Sequence, residues 1–388
     1  MSRHIRNVMD DQTRNSPDNR IRKTQPPRLS LPAPVPTAGT KAYQNERRYC
    51  LELDDRKKAN FELYQSSKHS NKIVKHLPIK LDIENVSRCN FRCVMCAVTD
   101  WDKSQRADDM SLDDFKRLVD ENYGLVEIKL QGLGEPTMQG DDYFEMIKYA
   151  RERHIWVRTV TNGSLLHLND NIKKIVEAGS NEIQISIDGA TSEVFEAVRR
   201  GSNFERVIDN CRELNQYCQD AGVEITKMAA VVQRLNRHQL PDLIKLAADL
   251  GFRNLVFGYN LIGWGDPALL IRNQLLTPPN LVSDIITDQL VLKGREFDVQ
   301  IGFWISNHKY STLSRETICP WPFERALISS DNRIVPCCMI TNPDFFEFGR
   351  DSTDSLAEIW RGEEYQEFRR QHTEGDIPVI CRNCYDGT

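Results

Sequence analysis

From Ile79 onward the chain repeats one pattern: a short run of alternating apolar and polar residues, an amphipathic stretch, then another alternating run. The runs are 79–85, 125–131, 155–161, 182–188, 223–232 and 253–259. Period-two alternation specifies strands, and strands separated by helical stretches pair in parallel, because a parallel neighbour requires a crossover. Segment 111–122 reads as one such helix, capped by Ser111, with Leu112, Phe115, Leu118 and Val119 on one face. Buried parallel strands are usually apolar on both faces. Here Ile79, Leu81 and Ile83 alternate with Lys80, Asp82 and Glu84, and Val126, Ile128 and Leu130 with Glu127, Lys129 and Gln131. Ile183, Ile185 and Ile187 likewise alternate with Gln184, Ser186 and Asp188. One face therefore meets helices while the other is polar. A half-open barrel with a polar interior satisfies this better than a flat sheet.

Composition removes several classes of function. A net charge of −5 gives no global drive toward nucleic acid. No run reaches the roughly 18 apolar residues of a membrane span, and no apolar stretch follows the N-terminal charges as in a secretory signal. A cytoplasmic protein without nucleic-acid partner or membrane span is expected. Eleven cysteines, an odd number, do not suit a disulfide framework in that compartment. Three of them, Cys89, Cys93 and Cys96, form a CxxxCxxC run directly after the first strand. Three thiolates on one loop can hold three irons of a [4Fe–4S] cube and leave the fourth open. A closed zinc site needs a fourth protein ligand from elsewhere, and on spacing alone that alternative stays open.

Three strand ends carry further motifs: Gln131-Gly132-Leu133-Gly134-Glu135, Thr161-Asn162-Gly163 and Ser186-Ile187-Asp188-Gly189. Barrel enzymes place their chemistry at such ends. Jointly, in this order after the cysteine run, they resemble the radical S-adenosylmethionine (SAM) superfamily over about residues 79–270. The resemblance implies a partial (β/α)6 TIM-like barrel. In it Cys89, Cys93 and Cys96 hold the cube, and the amine and carboxylate of SAM chelate the fourth iron. Gln131, Gly132, Gly134 and Glu135 match the segment that binds the methionyl amine, and Asn162, Ser186 and Asp188 match ends that face ribose or carboxylate. Arg200 is either a carboxylate partner or a surface arginine at a helix end. Met95 stands where the family often has an aromatic residue, so adenine packing falls to sulfur and aliphatic contacts. The implied chemistry is reductive cleavage of SAM to a 5′-deoxyadenosyl radical that abstracts a substrate hydrogen.

A second cysteine group comprises Cys319, Cys337 with Cys338, and Cys381-Arg382-Asn383-Cys384. Asp331-Asn332 between short apolar runs suits a hairpin, and a helix pair is expected at about 354–371. Spacing alone admits a zinc knuckle. Beside a radical SAM core, the group resembles the SPASM and twitch auxiliary-cluster domains. That resemblance implies one auxiliary [4Fe–4S] cluster on Cys319, Cys337, Cys381 and Cys384. Cys338 is held in reserve, because adjacent strand residues point oppositely. The sequence stops four residues after Cys384, which favours one auxiliary cluster over two. Cys50, Cys211 and Cys218 have no ligand spacing.

The expected domain plan is a basic, Pro-rich, largely disordered arm with a short helix near 54–68 (1–75), the core barrel (76–275), a connecting segment (276–314) and an α+β auxiliary-cluster domain (315–388). Glu84, Lys129 and Arg158 are lumen candidates from alternation. A fully ligated auxiliary cluster can accept an electron from a substrate radical. The resemblance to single-auxiliary-cluster dehydrogenases therefore implies oxidation of a polar small molecule such as a sugar or aminocyclitol, with a flavodoxin or ferredoxin as electron donor. The main alternative is a ribosomal-peptide maturase, although such enzymes often carry an N-terminal recognition domain where this chain has a basic arm. Redox-neutral epimerisation or elimination is a further alternative. A non-enzymatic zinc or iron–sulfur binding module is the alternative from another class.

Overall fold

The computed structural model describes residues 40–67, 73–259, 261–278, 284–304, 318–351 and 354–385. The Pro-rich arm up to residue 39 and part of the connecting segment lie outside them. Among the described residues, one sheet contains β1 (Lys80–Ile83), β2 (Glu127–Leu130), β3 (Trp156–Thr161), β4 (Glu182–Ser186) and β5 (Thr226–Val231). It continues with β6 (Asn254–Gly258), β7 (Gln300–Trp304), β8 (Arg325–Ile328), β9 (Arg333–Val335) and β10 (Gly349–Arg350). The spatial order is β10-β9-β8-β1-β2-β3-β4-β5-β6-β7. Neighbours from β8 through β7 are parallel, whereas β9 and β10 return antiparallel.

The alternation acts as expected. Leu81, Ile83, Ile128, Leu130, Ile183 and Ile185 are fully buried under the crossover helices, and burial of each contributes about 1.5–3 kcal/mol. The helix Leu112–Glu121 starts where Ser111 accepts the Asp114 amide at 3.0 Å. The opposite strand face carries charges, and these neutralise one another because an unpaired buried charge is costly. Arg325 bridges Asp82 (2.7 Å) and Glu127 (3.1 Å). Arg158 bridges Glu127 (3.3 Å) and Glu182 (3.4 Å), Lys227 pairs with Glu182, and Lys80 with Glu324 (3.1 Å). Together they form a charged floor at the N-terminal ends of the strands.

Three features depart from the sequence reading. The stretch expected as disordered arm ahead of the short helix is helical from Lys41: α1 (Lys41–Glu52) precedes α2 (Asp55–Ser67), the helix that was expected. Tyr43 of α1 is buried and donates to Glu127 at 3.1 Å, so this helix seals the floor. Its polar sequence hides that role, since few apolar positions mark the packed face. A seventh parallel strand, β7, follows the six expected; Gly302 interrupts its apolar run. The C-terminal cysteine-rich region also continues the barrel sheet, because β8 pairs in parallel with β1, Lys80 opposite Arg325.

Candidate active site

The loop after β1 brings Cys89, Cys93 and Cys96 together. Its backbone is fixed on several sides: the Arg92 guanidinium donates to the Cys89 and Phe91 carbonyls (both 2.9 Å), and Thr99 Oγ1 to the Cys93 carbonyl (2.8 Å). Arg92–Cys93 also pairs antiparallel with Arg199–Arg200. The Phe91 amide donates to Cys89 Sγ at 3.4 Å. Burial pushes all three thiols up, Cys96 to about 12, and the thiols reinforce one another. Thiolates here require bound cations, as metal ligation supplies. Three buried thiols on one loop, each able to take a separate iron, are a donor set that fits a [4Fe–4S] cube with one iron left open.

The strand ends surround this loop. A Cβ on Gly132 would lie 2.1 Å from Glu84 Cγ, and one on Gly134 would lie 2.3 Å from the Val86 carbonyl oxygen, so both glycines permit close approach to the end of β1. The Glu135 amide donates to the Arg88 carbonyl at 2.8 Å, which ties this segment to the cysteine loop. Glu135 is buried. It accepts from Thr137 Oγ1 (2.6 Å), Thr161 Oγ1 (2.6 Å) and the Asn162 amide (2.7 Å), so it braces two strand ends. Asn162 donates to Asn90 Oδ1 at 2.9 Å and lies 3.9 Å from Cys89 Sγ. Ser186 is half-buried at the end of β4, and Gln131 Oε1 is buried without a donor.

Asp188 and Arg200 part company. Asp188 is fully buried, accepts the Val231 amide at 2.7 Å and forms a 2.8 Å ion pair with Arg199. Arg200 is exposed. The cation that faces Cys93 and Cys89 is therefore Arg199, which reading along the sequence did not single out. Two amides were also missed. Gln233 donates to Met95 Sδ (3.8 Å) and Asn273 to the Met95 carbonyl (3.0 Å), while Gln233 Oε1 and Asn273 Oδ1 are buried without donors. Gln233 lies just past a predicted strand, which is the one signal that could have flagged it.

Cys337 and Cys338 leave β9 at the opposite end of the parallel strands, because β9 is antiparallel. Burial raises the Cys337 thiol well above the ordinary range, and Cys338, Cys381, Cys384 and Cys319 add to it. The five thiols thus lie near one another. Cys338 is not turned away from the others, since a helical turn begins at that residue. The Cys319 amide donates to Tyr385 Oη at 2.8 Å, which joins the two halves of the group.

Comparison with known proteins follows this division. Residues 85–259 match the Radical SAM superfamily model, and residues 319–385 match SPASM, an iron–sulfur cluster-binding domain. The tungsten-containing aldehyde ferredoxin oxidoreductase cofactor-modifying protein of Pyrococcus furiosus is 26% identical over 327 residues, 78% of this chain and 86% of that protein. The PqqA peptide cyclase of Bradyrhizobium diazoefficiens is 26% identical over 321 residues, 79% of each chain. The crystal structure of Streptococcus suis SuiB bound to precursor peptide SuiA superposes with a TM-score of 0.60 at 14% identity, over 79% of this chain and 69% of that one, a likeness of fold.

Proposed function

Because this chain is a radical SAM enzyme with a SPASM iron–sulfur domain, working with SAM and [4Fe–4S] clusters, we propose that it is a maturase whose substrate is a peptide. The observation that carries this reading is the similarity to a peptide cyclase along 79% of both chains, a span too long for the SAM core alone. It moves the reading away from the sugar or aminocyclitol expected from sequence. Modification of an organic cofactor is a second reading, favoured by the likeness to a cofactor-modifying protein.

When bound, the clusters and SAM supply one-electron cleavage chemistry that ends in removal of a substrate hydrogen. The chain supplies placement. Cys89, Cys93 and Cys96 would hold the SAM cluster, with Asn162 and Arg199 bracing their loop. Gly132, Gly134 and Glu135 would receive the methionyl amine. Met95, with Gln233 and Asn273 beside it, would line the adenine side of the site. Cys319, Cys337, Cys381 and Cys384 would hold the auxiliary cluster, and a flavodoxin or ferredoxin would deliver electrons.

The test uses anaerobically reconstituted enzyme with SAM, a reductant and deuterated short peptides encoded beside it. Deuterium is expected in 5′-deoxyadenosine together with a mass change in one peptide. Transfer from deuterated sugars or aminocyclitols and from none of the peptides would return the assignment to a small molecule.

A further inference from the structure

Four carboxylates of the lumen floor, Asp82, Glu127, Glu182 and Glu324, face five cations, Lys80, Lys129, Arg158, Lys227 and Arg325. Four of these cations make ion pairs. Lys129 makes no ion pair or hydrogen bond of its own among the described residues, although Asp82 lies near enough to be felt. The register places it between charged neighbours on one sheet face, with Asp82 beside it on β1 and Arg158 beside it on β3. The surplus positive charge of the floor therefore sits at Lys129.

Its height in the barrel gives that charge a use. Two residues further along the same face, roughly 7 Å up the strand, Gln131 presents a buried oxygen without a donor, and the glycine–glutamate segment follows. Below it, Lys129 feels the Cys338 thiol of the second cysteine group. Along the sheet face Lys129 thus stands between the two cysteine groups. Further along the sheet, β5 and β6 present Ala229, Val231 and Val256 on the face that alternates away from the helices.

We propose that Lys129 anchors a carboxylate of the substrate inside the barrel. Resting on the peptide reading, that carboxylate is an aspartate or glutamate side chain of the peptide. Burial pulls the ammonium below the ordinary lysine range against the pull of Asp82, and an arriving carboxylate adds to the pull of Asp82 in favour of the charged form.

Calorimetric titration of the reconstituted holoenzyme with SAM bound tests this, using acetyl-Gly-Glu-Gly-amide, acetyl-Gly-Gln-Gly-amide and glutarate as probes. A charge-assisted contact predicts a preference of about tenfold or more for the glutamate peptide, lost in Lys129→Met and partly kept in Lys129→Arg. Retention by the arginine variant also reports an intact fold. Binding of glutarate with the same Lys129 dependence, but of neither peptide, supports the anchor and overturns the peptide reading. Equal affinity of wild type and Lys129→Met for the glutamate peptide sinks the anchor, as does a wild type that binds no carboxylate probe. A loss of SAM affinity of about tenfold in Lys129→Met would also overturn it, by assigning the ammonium to the carboxylate of SAM itself.

Discussion

At Arg199 and Arg200 one step along the chain separates a buried cation from a solvated one. The two-residue ladder with Arg92–Cys93 sets which arginine turns inward. Sequence could not settle this, because a one-residue change of phase exchanges the two faces of a strand. The inward arginine meets Asp188 at 2.8 Å in a fully buried position. Asp188→Asn keeps the acceptor for the Val231 amide but strands the guanidinium, and breaking one side of a buried pair costs about 3–5 kcal/mol. Arg200→Gln should shift stability by no more than about 0.5 kcal/mol. Denaturant midpoints of the two variants check the contrast, and equal midpoints would refute the assignment. The glycines of the Gln131–Glu135 segment were legible as sites of close backbone approach. Their partners, Glu84 and the backbone at Val86, became visible only once the strands were side by side.

Among the elements, six parallel strands were readable from their spacing between helical stretches, with β1, β2 and β4 keeping apolar residues on the helix side and polar ones on the other. β8 was not, since Arg325-Ala326-Leu327-Ile328 reads locally as one arm of a hairpin. Its place beside β1 depends on partners 245 residues away, with Arg325 reaching both Asp82 and Glu127. That placement has a pH signature. Burial pushes the Glu127 carboxyl up, but Arg325, Lys80, Arg158 and the Tyr43 hydroxyl together hold it well below the usual carboxylate range. Glu324 is likewise raised by burial and lowered overall by Lys80, Arg325 and Tyr64. A carboxylate depressed in the folded state contributes stability that is fully present above its unfolded value and lost as pH falls through the folded one. The denaturation midpoint should therefore hold between about pH 7 and 5 and drop steeply below about pH 4. Arg325→Met should lower the midpoint at neutral pH and flatten the acid drop. A wild-type midpoint unchanged down to about pH 3 would show that these carboxylates contribute nothing.

For the molecule as a whole, the consequence of β8 is that one continuous sheet carries a cysteine group at each end of its parallel strands. The first group leaves the C-terminal end of β1. The second leaves the far end of β9, which runs back antiparallel beside β8. The charged floor and the polar strand face lie between them. Cysteine spacing foretold two groups, but not that the sheet itself would fix their separation. It also left open the choice between neighbours Cys337 and Cys338. The extended backbone at Cys337 is followed by a helical turn at Cys338, so both thiols lie near the rest of the group, and Cys338 is also near enough to Lys129 to be felt. If Cys337 is the ligand, Cys337→Ala should reduce reconstituted iron from about eight to about four per chain. It should also leave uncoupled formation of 5′-deoxyadenosine while abolishing peptide product. Cys338→Ala should then keep all the iron, and paramagnetic resonance of the reduced protein should show both clusters. The reverse pattern would place Cys338 on the auxiliary cluster and bring a ligand near Lys129.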